Sequence, residues 1–162
     1  MTKGNFRILC WNVNGIRAMW KKDFPNWFAK ESPDILCLQE TKAQREQLAD
    51  EIINFKDYKS YFFSAEKKGY SGVAVYTRIK PLRVSAGFNN PAFDCEGRVI
   101  EMEFDDFILF NAYFPNGGRG PERVKYKLDF YDSLFKRAQE LRKKKKNIIP
   151  SGKTKRKNPA DL

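Results

Sequence analysis

Two short apolar runs, Phe6-Arg7-Ile8-Leu9-Cys10-Trp11-Asn12-Val13 and Ile35-Leu36-Cys37-Leu38-Gln39, constrain this chain more than any other feature. Asn14-Gly15, suited to positive φ, follows the first run, and the turn Ser32-Pro33-Asp34 precedes the second. Both read as buried strands. Between them Trp20 to Lys30 reads as a short helix with Pro25 near its first turn. A second helix is expected over Gln44 to Asn54, where Leu48, Ile52 and Phe55 recur at helical spacing. The period then becomes that of strands at Tyr58 to Ser64, Gly72 to Thr77, Leu82 to Ser85, Val99 to Phe104 and Phe107 to Tyr113, with Asp105-Asp106 as a hairpin link. Pro121 to Arg142 returns to helix, Pro121 in its first turn and Val124, Leu128, Tyr131, Phe135 and Ala138 along one face. The fold class is α/β with a mixed sheet.

A length of 162 residues with 41% hydrophobic content suits one domain. Apolar runs stop well short of the roughly 20 residues that a membrane span needs, and the first residues lack the apolar stretch of a secretory signal. A soluble, intracellular (cytoplasmic) protein with no membrane partner is expected. Cys10, Cys37 and Cys95 are an odd number at wide spacing, two of them inside apolar strand-like runs, and read as reduced core residues and not as a disulfide or metal site. There is no histidine, which excludes imidazole catalysis and His-liganded zinc within this sequence. The net charge of +11 points to a polyanion such as nucleic acid, but eight basic and no acidic residues lie between Lys143 and Lys157. The remainder carries 23 basic against 20 acidic residues, so most of the excess belongs to the tail. Asn147-Ile148-Ile149 looks like the opening of a buried strand that Pro150-Ser151-Gly152 cannot continue. The expected division is a domain over 1–146 and a disordered basic tail over 147–162.

Two strands end in Asn12 and Glu40, and neighbouring strand ends would bring an amide oxygen and a carboxylate together. Magnesium takes oxygen ligands, keeps several waters and is typically held by one or two carboxylates plus substrate phosphate, so that pair would make a weak site completed by a phosphodiester. The plainer reading has Asn12 capping the turn and Glu40 solvated, and on the residues alone it is favoured. The loops Lys67-Lys68-Gly69-Tyr70-Ser71-Gly72 and Tyr113-Phe114-Pro115-Asn116-Gly117-Gly118-Arg119-Gly120 each combine glycines, an aromatic ring and a cation. That mixture suits close approach to a sugar-phosphate backbone, although glycine-rich turns with a nearby cation are mostly structural.

Read in order, Trp11 to Ala18, Leu38 to Lys42, Lys68 to Ala74, Asp94 to Ile100 and Tyr113 to Asn116 resemble the successive signature blocks of the exonuclease III and abasic-site (AP) endonuclease family. The resemblance covers residues 6 to about 142 and reverses the preference at Asn12 and Glu40. It implies that these two bind the catalytic metal, Mg2+ with Mn2+ as a substitute. It implies that Tyr113 sits at the scissile phosphate, supporting the transition state or helping to activate water, and that Asn116 hydrogen-bonds the phosphate region. Arg17, Lys42, Tyr70, Arg98 and Arg119 resemble positions lining or supporting the DNA-binding face, with a purely structural role for Arg98 equally open. Asn14 stands where some relatives have Asp. The implied substrate is double-stranded DNA with abasic sites, cut 5′ of the lesion or trimmed 3′ to 5′ in base excision repair.

Three family features have no counterpart here: a Gly-Asp-x-Asn block after the strand beginning at Asn147, a later acidic metal-site residue, and a late Asp-His pair. The resemblance therefore implies chemistry that is lost or very slow, with a non-catalytic nucleic-acid-binding remnant as the alternative. A frame shift at the adenine-rich codons of Lys143 to Lys146 and a true short product both remain open. The implied architecture is a four-layer α/β sandwich of the deoxyribonuclease I-like fold, of which this sequence is expected to supply mainly the first sheet. An uncovered sheet face, and hence self-association, is the expectation that follows.

Overall fold

A computed structural model describes residues 5–118, 120–143 and 146–153. The strand-like runs form β1 (Ile8–Asn12), β2 (Ile35–Gln39), β3 (Lys59–Phe63) and β4 (Val73–Thr77), which make one sheet in the order β1-β2-β4-β3. A second four-stranded sheet holds β5 (Arg83–Ala86), β6 (Val99–Glu103), β7 (Phe107–Tyr113) and β8 (Asn147–Lys153), in the order β5-β6-β7-β8. In each sheet three strands run antiparallel and the fourth, β1 or β8, joins an edge in parallel.

The helices are α1 (Ile16–Trp20), α2 (Phe24–Glu31), α3 (Asp50–Ile53), α4 (Pro91–Asp94) and α5 (Pro121–Lys143). The helix expected over Trp20 to Lys30 is thus divided, with Pro25 in the first turn of α2. The one expected over Gln44 to Asn54 is a single 3-10 turn at Arg45–Gln47 followed by α3.

The alternation of side chains across a strand explains why β2 has no polar face. Leu36 and Leu38 pack outward with Ile16, Phe24, Phe28 and Tyr76 beneath α1 to α3. Ile35 and Cys37 point the other way, into a layer shared with Val73, Val75, Ile100, Met102 and Leu109 from both sheets. On the far side, Val99, Ile108, Phe110 and Ala112 meet Phe93, Phe130, Leu134 and Leu141 from α4 and α5. Helix, sheet, sheet and helix layers are therefore all present, which confirms the α/β sandwich and corrects the expectation that the second sheet would be largely missing. The sheet faces cover each other.

Three further expectations are corrected. Residues 147–153 form β8 rather than disordered tail, and 154–162 lie outside the described residues. Pro150 is accommodated because β8 is an edge strand, where an N–H lost on the open side breaks no ladder bond. The buried face of α5 carries Phe130, Leu134 and Leu141, whereas Val124, Leu128 and Phe135 are exposed. The helix has two apolar stripes, and the one that docks is the one whose Phe130 ring packs against Phe88, Phe93 and Phe114. Of the cysteines only Cys37 is a core residue, its thiol pushed up to about 12 by burial; Cys10 is exposed because β1 is an edge strand, and Cys95 is intermediate. Among the described residues no helix is long and apolar enough to cross a membrane.

Candidate functional site

Parallel pairing of β1 with β2 sets Asn12 opposite Gln39, so both strands deliver their carboxyl ends to one edge of the sandwich. The loops beyond are laced by backbone bonds: Gly15 N–H to Glu40 O (2.7 Å), Ile16 N–H to Thr41 O (3.0 Å), Thr41 N–H to Gly72 O (3.1 Å) and Lys42 N–H to Ser71 O (2.9 Å). This lacing holds Asn14, Glu40, Lys42 and Ser71 in left-handed backbone, four of the seven described non-glycine residues with positive φ. Each costs on the order of 1–2 kcal/mol, and such concentration is a mark of functional sites.

Glu40 is 7% exposed yet held as a carboxylate. Desolvation raises its pKa, but hydrogen bonds from Asn12, Tyr113 and Lys42 and the Lys42 charge outweigh burial and bring it below the usual range. Asn12 Nδ2 donates to Glu40 Oε1 at 2.7 Å, and Lys42 Nζ lies 3.1 Å from Oε2. Lys42 also donates to Asn14 Oδ1, and the Asn14 N–H donates to Asn12 Oδ1 at 3.1 Å.

Tyr113 closes β7 in the other sheet. Burial, a hydrogen bond with Glu40 and the Glu40 charge push its phenol well above the ordinary value. Arg98, only 3% exposed, lies with its guanidinium carbon 4.7 Å from the Tyr113 ring centre and donates from one Nη to Tyr113 O at 2.9 Å. Its other Nη donates to Tyr70 Oη at 3.0 Å. Arg98 is therefore largely buried and supports two tyrosines.

A cavity of about 250 Å³ gathers Glu40, Lys42, Tyr70, Tyr113, Asn116 and the Arg98 guanidinium. Asn116 is exposed, its Oδ1 accepting from the Gly118 N–H at 2.9 Å. Arg17, exposed on α1, lies apart from that group in a neighbouring groove of about 690 Å³ that shares Lys42 and Gly69 with it. Arg119 falls outside the described residues. Reading the sequence missed Arg123, which lines the cavity, and Glu96, which it binds; the one available signal was Glu96 standing two residues before Arg98.

Among the described residues no group of three or more His, Cys, Asp or Glu side chains could hold a metal. The donor set at the cavity is one ionised carboxylate, Glu40, with the neighbouring amide of Asn12. That fits a hard, hydrated divalent cation that keeps waters and shares substrate phosphate; it does not fit a closed all-protein cage.

The model of the Endonuclease/Exonuclease/phosphatase family matches residues 9–149. Among curated proteins, the DNA repair nuclease APEX1 of Danio rerio is 46% identical over 125 residues, 76% of this chain and 40% of the relative. The exodeoxyribonuclease of Bacillus subtilis is 41% identical over 144 residues, 88% of this chain and 56% of the relative. The crystal structure of the Xenopus laevis APE2 catalytic domain superposes with a TM-score of 0.81 at 28% identity, covering 93% of this chain and 58% of that one. The chain thus spans about half the length of these relatives. With the family model matched over most of its length, this chain belongs to the Endonuclease/Exonuclease/phosphatase family, and its similarity within it is to a DNA repair nuclease and an exodeoxyribonuclease.

Proposed function

We propose that this chain carries the metal- and DNA-binding part of a magnesium-dependent phosphodiester hydrolase of base excision repair, acting on double-stranded DNA at abasic sites and 3′ ends. The observation that carries the reading is the convergence of Glu40, Lys42, Tyr70, Tyr113 and Asn116 on one cavity, from a strand end and loops far apart in sequence. Glu40, with the Asn12 amide oxygen, would hold the cation. Mg2+ supplies, when bound, charge that polarises a phosphate oxygen.

The protein's own groups do the rest. Tyr113 carries a phenol at the cavity, a group protonated at neutral pH, and so can donate a hydrogen bond to a phosphate oxygen. Asn116 offers an exposed side-chain amide to the backbone beside the break. Lys42 and Arg17 place positive charge along the groove that leads into the cavity. The test is binding and cleavage of a duplex carrying an abasic analogue, in Mg2+ and in EDTA, for the wild type and Glu40→Ala. Loss of the Mg2+-dependent part in the variant is expected; identical behaviour of the two proteins would sink the metal assignment.

One observation favours a second reading. Glu40 is the only carboxylate among the described residues lining the cavity, and it is committed to the cation, so no acidic side chain there is left to take a proton from water. In that reading the cavity binds DNA without cutting it. Affinity would then fall steeply with salt and be the same for intact and abasic duplex.

A further inference from the structure

We infer that Glu96 and Arg123 form a brace that positions Tyr70 and Tyr113 at the Glu40 cavity, an inference resting on the nuclease reading only for what the cavity receives. Glu96 lies in the turn between α4 and β6. Its carboxylate accepts from Arg98 Nε at 2.5 Å and from the two Nη atoms of Arg123 at 2.8 and 2.9 Å. Desolvation raises its pKa, but the hydrogen bonds from Arg123 and Arg98 and their charges hold it at about 2. It is permanently ionised at neutral pH.

The same two guanidiniums reach the tyrosines. Arg98 and Arg123 each donate to Tyr70 Oη at 3.0 Å. Arg98 also bonds the Tyr113 carbonyl and lies over both rings, its guanidinium carbon 4.7 Å from the Tyr113 centre and 5.7 Å from that of Tyr70. A single carboxylate therefore orients two planar forks, and the forks in turn hold Tyr70 by its hydroxyl and Tyr113 by its carbonyl and ring face. The turn that carries it is closely packed, Gly97 lying against the Ser64–Ala65 backbone with no room for a Cβ.

Charge points the same way. The pair Glu96–Arg98 cancels, and Arg123 leaves one unbalanced positive charge beside the cavity, where a phosphate would arrive. The device thus has two effects, to aim Tyr70 and Tyr113 and to leave a net cation near them. Nothing in the cation site itself requires Arg123.

The test labels the full chain with 3-fluorotyrosine and compares ¹⁹F spectra of wild type, Glu96→Gln and Arg123→Met, with Tyr70→Phe and Tyr113→Phe assigning the two signals. Displacement of the Tyr70 and Tyr113 signals in both variants is expected, while those of Tyr58 and Tyr76, in the core beneath the other sheet, hold still. Affinity for an abasic-analogue duplex in Mg2+ should fall about tenfold in each variant, and the double variant should be no more than about twofold worse than either, because the pair acts as a unit. Arg123→Lys, which keeps the charge without the fork, should displace Tyr70 equally but lose less affinity. Arg123 is partly exposed and its removal leaves Arg98 on Glu96, so its variants guard against misfolding of the Glu96 variant. Unmoved Tyr70 and Tyr113 signals, or movement of all seven tyrosines together with a lowered Tm, would overturn the brace. If the wild type binds no duplex at all, the nuclease reading fails while the ¹⁹F comparison still decides the brace.

Discussion

Asn111 is the sharpest point at which to test how the two sheets are joined. It lies on β7, wholly buried, and its side chain crosses to the other sheet. Nδ2 donates to Leu38 O on β2 at 3.1 Å and to Ala74 O on β4 at 2.8 Å, while Oδ1 accepts from Gln39 Nε2 at 2.7 Å. Asn111→Leu keeps roughly the same volume and removes all three bonds. A net bond is worth about 1 kcal/mol, and each stranded buried partner adds about 1–3 kcal/mol of uncompensated desolvation. Gln39 retains weaker contacts to Cys10 Sγ and Cys37 O, and the new apolar surface offsets part of the loss. The expected destabilisation is about 3 kcal/mol, a large share of the roughly 5–15 kcal/mol that holds a domain together.

Urea denaturation followed by tryptophan fluorescence measures it: the midpoint should fall with an unchanged m-value. At this size the same loss lowers Tm by about 6–12 °C. The double variant Asn111→Leu with Gln39→Leu should recover part of the loss, since the donor stranded on Gln39 disappears with it. A shift below about 1 kcal/mol for Asn111→Leu would refute the reasoning, and would mean that the apolar layer between the sheets suffices without the polar link.

Gly97→Ala should lower Tm far more than Gly15→Ala, although both glycines have positive φ. A Cβ at Gly97 would come 2.4 Å from the Ser64 carbonyl carbon and 2.6 Å from Ala65 N, whereas at Gly15 it meets nothing within 4 Å; equal losses would show that φ strain alone matters. Glu96 has a folded pKa of about 2 against an ordinary 4.5, so its stabilising effect is complete above pH 4.5 and lost as pH falls toward 2. Acid titration of stability should show that loss in the wild type and a flatter profile in Glu96→Gln. Leu128→Glu combined with Phe135→Glu should change stability by less than about 1 kcal/mol, because both side chains are exposed, whereas Phe130→Ala should cost about 3–5 kcal/mol.

Strand positions were legible because apolar runs of strand length stood between turn residues, and β7 was read to its ends. What the period could not reveal was which element covers which face. On α5, residues 124, 128, 131 and 135 make as good a stripe as 130, 134 and 141, and only the Phe88, Phe93 and Phe114 rings on the second sheet select the latter. Glu101 illustrates the same limit. In Val99-Ile100-Glu101-Met102 nothing local says which face the carboxylate takes; it is 4% exposed beneath α5, its charge matched by Arg83 and Arg137. Pro150 misled for a different reason: a rule for central strands does not apply at an edge, and edge position follows from topology, which no local window contains.

The candidate site obeys the sheet register closely enough to explain its own legibility. Asn12, Gln39 and Val73 lie in one register row of the first sheet, and Val99 with Ala112 in one row of the second. Glu40, Gly72, Arg98 and Tyr113 each lie one residue outside those rows, so the ends of both sheets present them at the same edge of the sandwich. Asn12 and Glu40 could be paired from sequence because two neighbouring parallel strands bring their ends together by themselves. Tyr113 could be added only through a family resemblance, since its approach to Glu40 depends on how two sheets face each other. Glu96 and Arg123 escaped both routes, one in a turn and one in a helix, because their function is to hold residues that hold the site, and that relation exists only once the sheets have met.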